Sequence, residues 1–565
     1  MKKYILIALL GCSIQMHAQT AAKDTAFQRM MTLEKEYNPT IDKASKINTL
    51  PEVKEPQAPQ AKIEFSNYST PANIKPEASQ VAAAQYFKDL GSSKKRGYLR
   101  AGVSTFVDID GDAGIQILNS TTNDLSIWAT HRSSSGKIKS LQTDEKLKLK
   151  LNDNTGAFRY SHNFKSSKLF ADAKYTYSEF NYYGGGFPIN GAMPDYLLFH
   201  SNQANNIFDA NLGFLSKNTL PLNIFLGVNF TYFDQKESVL QNENEFKGEN
   251  TLKVNFDFYK DFDGNKTVGL AGYSRTNFYP VQTITYKDYS DLAFNPYFKI
   301  EGDNWRMRLG AFAHLLFNQT KTFFLTPDVE LSFRPYESGL LYMTAKGEVA
   351  DNGNSKIFNE NRYVLLFDRV SDSYTGIDGT AGFRTTFSGV FDIDFYAGYK
   401  ITTQEHFYRP LILSSSDGDY ACDFHYVDYY DTKVLKFGTN MKYQYGKVFD
   451  LSLKAAYYKW EVDETGAEAW NKPTFESDIT AGFQFQTIPL RIDLAYHLET
   501  ERKSFDGQVV NMENINDISL TETCAINNTF SIFARIDNLL NQKYDIWYGY
   551  PAEGRRFMGG LSIKF

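Results

Sequence analysis

Residue types that could do chemistry are scattered along this chain rather than gathered into one motif. The sequence contains no HExxH, no CxxC and no glycine-rich phosphate loop. Beyond the first 18 residues the histidines lie far apart, and each is expected to be an ordinary polar residue: His131, His162, His200, His314, His406, His425 and His497. We therefore expect no catalytic residues, no bound cofactor and no enzymatic activity.

One acidic segment has a spacing that suits a cation. In "DIDGDAG", Asp108, Asp110 and Asp112 alternate, so their oxygens could converge on a hard ion such as Ca²⁺. The segment lacks the bidentate glutamate that completes a calcium loop. Because Asp-Gly also favours a tight hairpin turn, we interpret the segment as a turn and predict no metal site.

The cysteines do not predict a disulfide framework. Cys12 lies in the leader, while Cys422 falls in an expected loop and Cys524 in an expected strand. Two cysteines so far apart are compatible with reduced thiols and with a pair.

From Gly97 onward, the elements that carry these residues have a period of two. Apolar residues alternate with polar ones, which places each set on one side of a β-strand. The apolar sets are Leu222, Ile224, Leu226, Val228, Phe230 and Tyr232; Leu435, Phe437, Met441, Tyr443 and Tyr445; and Ile492, Leu494, Tyr496 and Leu498. The opposite sets contain charges, so that side must be wet, and the apolar side suits a bilayer.

The composition agrees with strands that cross a membrane. Aromatic residues make up 15% of the 565 residues, with 37 Tyr and 45 Phe, yet the mean hydropathy is only −0.42. Only alternate residues of a membrane strand face lipid, so a barrel keeps a polar average. The net charge of −6 offers no argument for a nucleic-acid partner.

Turn signals give the number of strands. Ten short polar connections are "TTND", "KSSK", "SKNTLP", "DFDGNK", "EGDNW", "RPYESG", "FSGV", "YGKV", "QTIPL" and "INNTF". Eleven others alternate with them, near 134–152, 183–204, 237–248, 280–290, 350–378, 404–428, 461–474, 500–516 and 541–555, and at "DIDGD" and "QTKT". The sequence therefore predicts an all-β transmembrane antiparallel barrel of about 22 strands, with its short turns in the periplasm.

The chain before the barrel has two parts. Residues 1–18 have a basic start, a short apolar run and Ala18 near a cleavage point, which predicts a secretory signal peptide. An alternative is lipid attachment at Cys12 within "LLGC".

Residues 19–96 are rich in proline and predict an extended segment in the periplasm or in the lumen. The segment contains more apolar and aromatic residues than a linker needs. We expect it to dock against the barrel or a partner through Leu33, Tyr37, Asn38, Pro39 and Ile41. The barrel is predicted to span residues 97–565.

The end of the chain resembles the closing strands of TonB-dependent outer-membrane receptors. The resemblance rests on "NLLNQKY", a Gly-Tyr-Pro loop and a last strand that ends in phenylalanine. The matching residues are Asn538, Leu539, Leu540, Asn541, Tyr544, Gly549, Tyr550, Pro551, Gly554, Arg555 and Phe565. The terminal Phe565 resembles the signal that barrel-insertion machinery reads, and the "HAQ" leader end resembles leaders of Bacteroidetes.

The resemblance covers the barrel and implies location in the outer membrane, among lipid and lipopolysaccharide. Members of that family carry a plug domain before the barrel, and residues 19–96 do not resemble one. We therefore expect a non-enzymatic structural or accessory subunit of an outer-membrane complex for barrel assembly or surface export. Its partners would be periplasmic or surface lipoproteins or other barrels. The alternative is a transporter or receptor for nutrient uptake, with a plug supplied by a partner or by the amino-terminal segment.

Overall fold

The fold is taken from a computed structural model, and the residues it describes leave out the amino-terminal segment. The described ranges are 95–184, 186–191, 202–216, 222–236, 248–283, 286–366, 369–415 and 418–565. The predicted signal peptide and the docking residues Leu33, Tyr37, Asn38, Pro39 and Ile41 lie outside these ranges, as does His200. The docking of that segment remains a prediction.

Antiparallel strands dominate the described chain. The strands are β1 (Gly97–Ser104), β2 (Ile109–Asn119), β3 (Asn123–Lys139), β4 (Lys146–Asn163), β5 (Ser167–Asn181), β6 (Phe187–Gly191), β7 (Asn202–Ser216), β8 (Asn223–Gln235), β9 (Glu249–Phe262), β10 (Lys266–Phe278), β11 (Tyr289–Glu301), β12 (Trp305–Phe317), β13 (Phe323–Tyr336), β14 (Gly339–Ala350), β15 (Ser373–Phe387), β16 (Phe391–Ser415), β17 (Gly418–Tyr445), β18 (Phe449–Val462), β19 (Phe475–Gln484), β20 (Leu490–Thr500), β21 (Lys503–Phe505), β22 (Val509–Asn511), β23 (Ile515–Ala525), β24 (Phe530–Asp537), β25 (Asp545–Trp547), β26 (Tyr550–Pro551) and β27 (Arg556–Lys564). One helix, α1 (Asn354–Glu360), lies between β14 and β15. In the described part of the chain, no helix is long and apolar enough to cross a membrane.

The main sheet closes on itself. It has 23 strands, and all of them except β6 form a ring of 22 in which each strand pairs with its neighbours in sequence order. The first strand, β1, pairs with the last, β27, so that Tyr98 lies opposite Lys564. The predicted antiparallel barrel of about 22 strands is confirmed.

The two faces of the strands differ as predicted. On β8, Leu226 is 42% exposed and its register partners on β7 and β9 are Phe214 and Phe256. The opposite face carries polar contacts, such as the bond that Asn255 Nδ2 donates to Asn229 Oδ1 over 2.6 Å. Apolar residues therefore point outward to lipid, and polar residues line the lumen.

The ten predicted short turns fall between successive strands, all at one end of the barrel, and residues 217–221 of "SKNTLP" lie outside the described ranges. Two predictions at the other end are wrong, and a third connection is shorter than predicted: β3 continues to Lys139 and β4 begins at Lys146, so most of residues 134–152 belong to strands. Residues 404–428 are not a loop, because β16 and β17 continue through most of them as one long hairpin, with Cys422 inside β17. The "DIDGD" segment is not a turn, because β2 begins at Ile109 and the turn lies immediately before it.

The seam of the barrel depends on Phe565. Its N–H donates to Gly97 O over 2.9 Å, and Gly97 N–H donates to Phe565 O over 2.8 Å. A Cβ on Gly97 would lie 2.4 Å from the Phe565 ring, so glycine leaves the room that the ring occupies. The last residue thus completes the pairing of β1 with β27.

Deleting Phe565 is expected to reduce the amount of folded barrel in the outer membrane. The seam would lose two backbone hydrogen bonds, each worth about 0.5–1.5 kcal/mol, together with an apolar contact. Heat-modifiable mobility on gels measures the folded fraction. Phe565→Tyr, which keeps the ring and both backbone bonds, is the control. Equal folded amounts for the deletion and for Phe565→Tyr would contradict the role assigned to the terminal ring.

Candidate functional site at the mouth of the barrel

The end of the barrel that carries the longer connections is here called the mouth. The connection between β14 and β15, residues 351–372, is called the mouth loop. One of its side chains, Arg362, bonds Asp153 on β4, and another, Glu360, bonds His406 on β16. Since β4 and β16 are the fourth and fifteenth strands of a ring of 22, they lie on opposite sides. The mouth loop therefore crosses the opening of the barrel.

Helix α1 is held at its amino-terminal end by a side chain of the wall. The N–H of Asn354 donates to the two carboxylate oxygens of Glu249 over 3.1 and 3.2 Å. Tyr279 Oη also donates to Glu249, over 3.0 Å. The helix buries Ile357 and Phe358 on its inner side. Glu249 thus satisfies an N–H group that a helix leaves without an intrahelical partner.

A buried cluster of charges, here called the latch, fixes both ends of the mouth loop. Arg275 on β10 bonds Asp372, and its nitrogens lie 3.4 Å from an oxygen of Asp351 and 3.8 Å from an oxygen of Asp291. The Arg275 side chain is 3% exposed, and those of Asp291 and Asp372 are 0% exposed. Burial raises the pKa of Asp372 to about 6. One guanidinium thus compensates several carboxylates away from water.

A second ion pair joins the mouth loop to β4. Arg362 Nη1 and Nη2 donate to the two Asp153 oxygens over 3.2 and 3.0 Å, and Nη1 also donates to Ser178 Oγ over 3.4 Å. The guanidinium carbon lies 5.6 Å from the centre of the Phe180 ring. This bidentate geometry suits the planar guanidinium of an arginine.

The third polar contact joins the end of α1 to β16. Glu360 Oε2 accepts bonds from His406 Nε2 and Tyr408 Oη, both over 2.6 Å. Burial alone would raise the pKa of Glu360, but His406 and Lys356 hold it well below its usual range. Glu360 is therefore a charged anchor of the mouth loop.

Aromatic residues cover the remaining opening. Tyr550, from the connection between β24 and β27, stacks on Tyr363 with ring centres 3.7 Å apart. Tyr183 packs edge-on against Tyr550 at 5.1 Å, and Tyr550 Oη donates to Asp423 O. Tyr183 of "EFNYYGGGFP" and Tyr550 of "YDIWYGYP" therefore pack together over the mouth loop.

The mouth loop also adds to the sheet. His425 N–H on β17 donates to Tyr363 O over 2.9 Å, and Leu365 N–H donates to His425 O over 2.8 Å. Val364 and His425 thereby form a parallel bridge. A segment of the loop thus occupies part of the free edge of β17, next to the part that pairs with β6.

The residues that carry the family resemblance shape the connection that delivers Tyr550. Asn538 Nδ2 donates to the carbonyl oxygens of Gln542 and Glu553, and Asn541 Oδ1 accepts from Arg555 N–H over 2.9 Å. Four further hydrogen bonds hold this connection: Leu539 N–H donates to Ile518 O, Tyr544 Oη to Asp517, Gly549 N–H to Asp545, and Arg555 Nε to Leu539 O. Gly549 has a φ of 85°, and Pro551 lies in β26. A Cβ on Gly554 would lie 3.0 Å from Asn541 Oδ1.

The aspartates with calcium-like spacing have protein partners. Asp108 accepts a bond from Arg556 over 3.1 Å, and Asp110 accepts one from Arg535 over 2.8 Å. Asp110 and Asp112 lie on β2, and Asp108 immediately precedes it. Within the described ranges, no group of three or more His, Cys, Asp or Glu side chains is placed to hold a metal ion. Cys422 and Cys524 are free thiols on β17 and β23.

Sequence reasoning placed the mouth loop in a long connection but missed its contacts. Arg275 and Asp372 are 97 residues apart, and Asp153 and Arg362 are 209 residues apart. Only the closed ring brings them together. The one available signal was the apolar run "YVLL" inside a segment expected to be a solvent-exposed loop.

A closed antiparallel ring with an apolar outer face and a polar lumen is an outer-membrane β-barrel that crosses the membrane many times. Solved structures share this fold. The siderophore receptor PirA from Acinetobacter baumannii matches with a TM-score of 0.64 at 8% identity, over 85% of this chain and 81% of that chain. The FrpB iron transporter from Neisseria meningitidis matches with a TM-score of 0.60 at 10% identity, over 84% and 83%.

The copper transporter OprC matches with a TM-score of 0.60 at 11% identity, over 83% of this chain and 82% of that chain. No family model matches the sequence, and a search of curated proteins found no match. At these identities the likeness is one of fold.

Proposed function

We propose that this chain is an outer-membrane transporter or receptor that takes up a nutrient through its barrel. The mouth loop acts as the gate, and the amino-terminal segment or a partner protein supplies the plug. The observation that carries the proposal is the mouth loop itself, which crosses the opening and continues covalently into the barrel strands at its two ends, Ala350 and Ser373. The expectation of a structural or accessory subunit gives way to this alternative.

Two features support uptake over a purely structural role. The proteins with this fold named above are receptors or transporters of siderophores, iron and copper. In addition, polar pairs hold the mouth loop to the wall at Asp153, Glu249, Arg275 and His406. Such polar pairs can be exchanged for water or for a ligand, and the buried apolar residues Val364, Leu365 and Leu366 pack the loop in its closed position.

A reversible lock on the mouth loop tests the proposal. Val364 and His425 are bridge partners, so their backbones are about 4.8 Å apart, within the range that a disulfide spans. In a Cys422→Ala background, the pair Val364→Cys and His425→Cys should close the mouth when oxidised. Most uptake should be lost under oxidising conditions and should return on reduction.

Uptake is measured in cells with a panel of labelled iron siderophores, copper and mixed short peptides, against a strain that lacks the protein. The single variant Val364→Cys controls for the redox treatment. If the strain lacking the protein takes up every compound normally, and the protein copurifies with lipoproteins in fixed ratio, the accessory-subunit hypothesis replaces this one.

A further inference from the structure

The middle of the mouth loop contacts the wall in the manner of a bound peptide. Its backbone pairs with β17 through the two hydrogen bonds of His425. Adding an extended segment to a free sheet edge is a common mode of peptide recognition, in which backbone bonds provide affinity and side-chain pockets provide specificity. The segment Arg362–Leu366 is here called the internal peptide.

The basic end of the internal peptide has a specific pocket. Asp153, Ser178 and Phe180 surround the Arg362 guanidinium, with two carboxylate bonds and a ring face. Arg132 lies opposite Asp153 in the β3–β4 register, yet within the described chain the ion-pair partner of Asp153 is Arg362. This pocket belongs to the barrel and not to the loop.

The remainder of the internal peptide is apolar and buried. Val364, Leu365 and Leu366 are 5%, 7% and 5% exposed, and the Tyr363 ring stacks on Tyr550. Leu366 O also accepts a bond from Tyr286 Oη over 3.0 Å. The wall thus accommodates a basic residue, an aromatic residue and an aliphatic run in that order.

Opening the mouth leaves these wall groups without their partners. The Asp153 carboxylate would lose its cation, and the N–H and C=O of His425 would lose their hydrogen bonds. Polar groups left unpaired in a partly buried site carry a large desolvation cost. A ligand that replaces the Arg362 side chain and the loop backbone as their partners therefore shifts the equilibrium toward the open mouth.

We infer that the ligand which opens the mouth is a short extended peptide with an arginine or lysine before an aromatic and aliphatic run. The internal peptide occupies its place in the closed protein. This inference rests on the proposed function, since it assigns the ligand of the same gate. It makes Asp153 the residue that selects the basic side chain.

The test measures binding of a synthetic peptide, Asn-Arg-Tyr-Val-Leu-Leu, which copies residues 361–366. The receiving protein is the full chain with residues 352–371 replaced by a short Gly-Ser linker. Such a linker is feasible because Ala350 and Ser373 are register partners on β14 and β15. Calorimetry should detect binding, and the peptide Asn-Ala-Tyr-Val-Leu-Leu should bind at least about tenfold more weakly, because a charge-assisted bond is lost.

Asp153→Asn in the shortened chain should abolish the preference for the arginine peptide and leave the alanine peptide unaffected. Spermidine serves as a cation without a peptide backbone and should bind weakly. A second receiving protein, the intact chain with Arg362→Ala, covers the case in which the shortened chain does not fold, because only one of the contacts that hold the loop is changed there.

Three results would overturn the inference. They are equal binding of both peptides, no binding of the arginine peptide to both receiving proteins, and tighter binding of spermidine than of the arginine peptide. These results are independent of the uptake experiment. Nutrient uptake without peptide binding would refute the peptide ligand alone, and peptide binding without any uptake would refute the transport function alone.

Discussion

Arg275→Ala should release the mouth loop while the barrel stays folded. Three carboxylates, Asp291, Asp351 and Asp372, face the Arg275 guanidinium in a buried cluster. Removing one partner of a buried ion pair costs about 3–5 kcal/mol, because the other charge is left uncompensated. Opening the loop returns Asp351 and Asp372 to water, so the cost falls on the closed mouth rather than on the strands.

Trypsin cleavage of the protein in outer membranes measures this change. The mouth loop contains Lys356, Arg362 and Arg369, which are partly exposed in the closed mouth. Because trypsin needs a locally unfolded segment, we expect it to cut there when the loop leaves the mouth. Where opening and closing are fast, the cleavage rate follows the fraction of molecules with an open mouth. A loss of about 3 kcal/mol in the free energy that favours the closed mouth should therefore raise the cleavage rate about 100-fold. Heat-modifiable mobility should show that the barrel is still folded.

The control for Arg275 is an exposed ion pair. Lys433 and Asp463 are joined over 3.2 Å, but their side chains are 40% and 53% exposed. Water screens a pair of that kind and it contributes little to stability, so Lys433→Ala should leave loop cleavage nearly unchanged. Equal cleavage rates for Arg275→Ala and the unaltered protein would show that the latch does not hold the mouth loop.

Leu226→Arg should destabilise the barrel by about 2–4 kcal/mol, which is the cost of a charge on the lipid face near the middle of a bilayer. Leu226 is 42% exposed, and it lies between Phe214 and Phe256 on the neighbouring strands. The arginine would therefore meet apolar side chains and lipid with no anion beside it. Urea unfolding in lipid vesicles, followed by tryptophan fluorescence, measures the free energy of unfolding.

The matched substitution places the same residue on the lumen face. Asn440 lies between Asp394 and Lys454 in the strand register, so an arginine at 440 would have water and a carboxylate within reach. Asn440→Arg should cost much less than Leu226→Arg. If the two variants lose the same stability, the assignment of inner and outer faces is incorrect.

The sequence by itself determined the wall of the barrel. A strand places alternate residues on opposite faces, so a membrane outside and water inside leave a period of two that is readable over each strand. The sets that contain Leu226 and Leu494 were assigned to lipid on this basis, and both residues are exposed on the outer face. The short turns were equally readable, because tight reversals require glycine, asparagine, aspartate, serine or proline.

Sequence reasoning failed where the chain leaves the membrane. The β16–β17 hairpin continues past its membrane part, and there no lipid enforces alternation, so residues 404–428 were taken for a loop. The turn at the start of β2 was misplaced for a related reason. Asp110 supplies a charge to the lumen wall, where it pairs with Arg535, and its type suggested a turn.

The closed mouth was decided by the tertiary structure alone. Arg275 and Asp372, or Arg362 and Asp153, are distant in sequence and meet only because a ring of 22 strands brings separate strands and the mouth loop to one opening. No local pattern encodes such a pair, since each charge taken alone is an ordinary polar residue of a strand or loop. The period of the strands thus set the barrel, and closure of the ring determined which residues meet across its mouth.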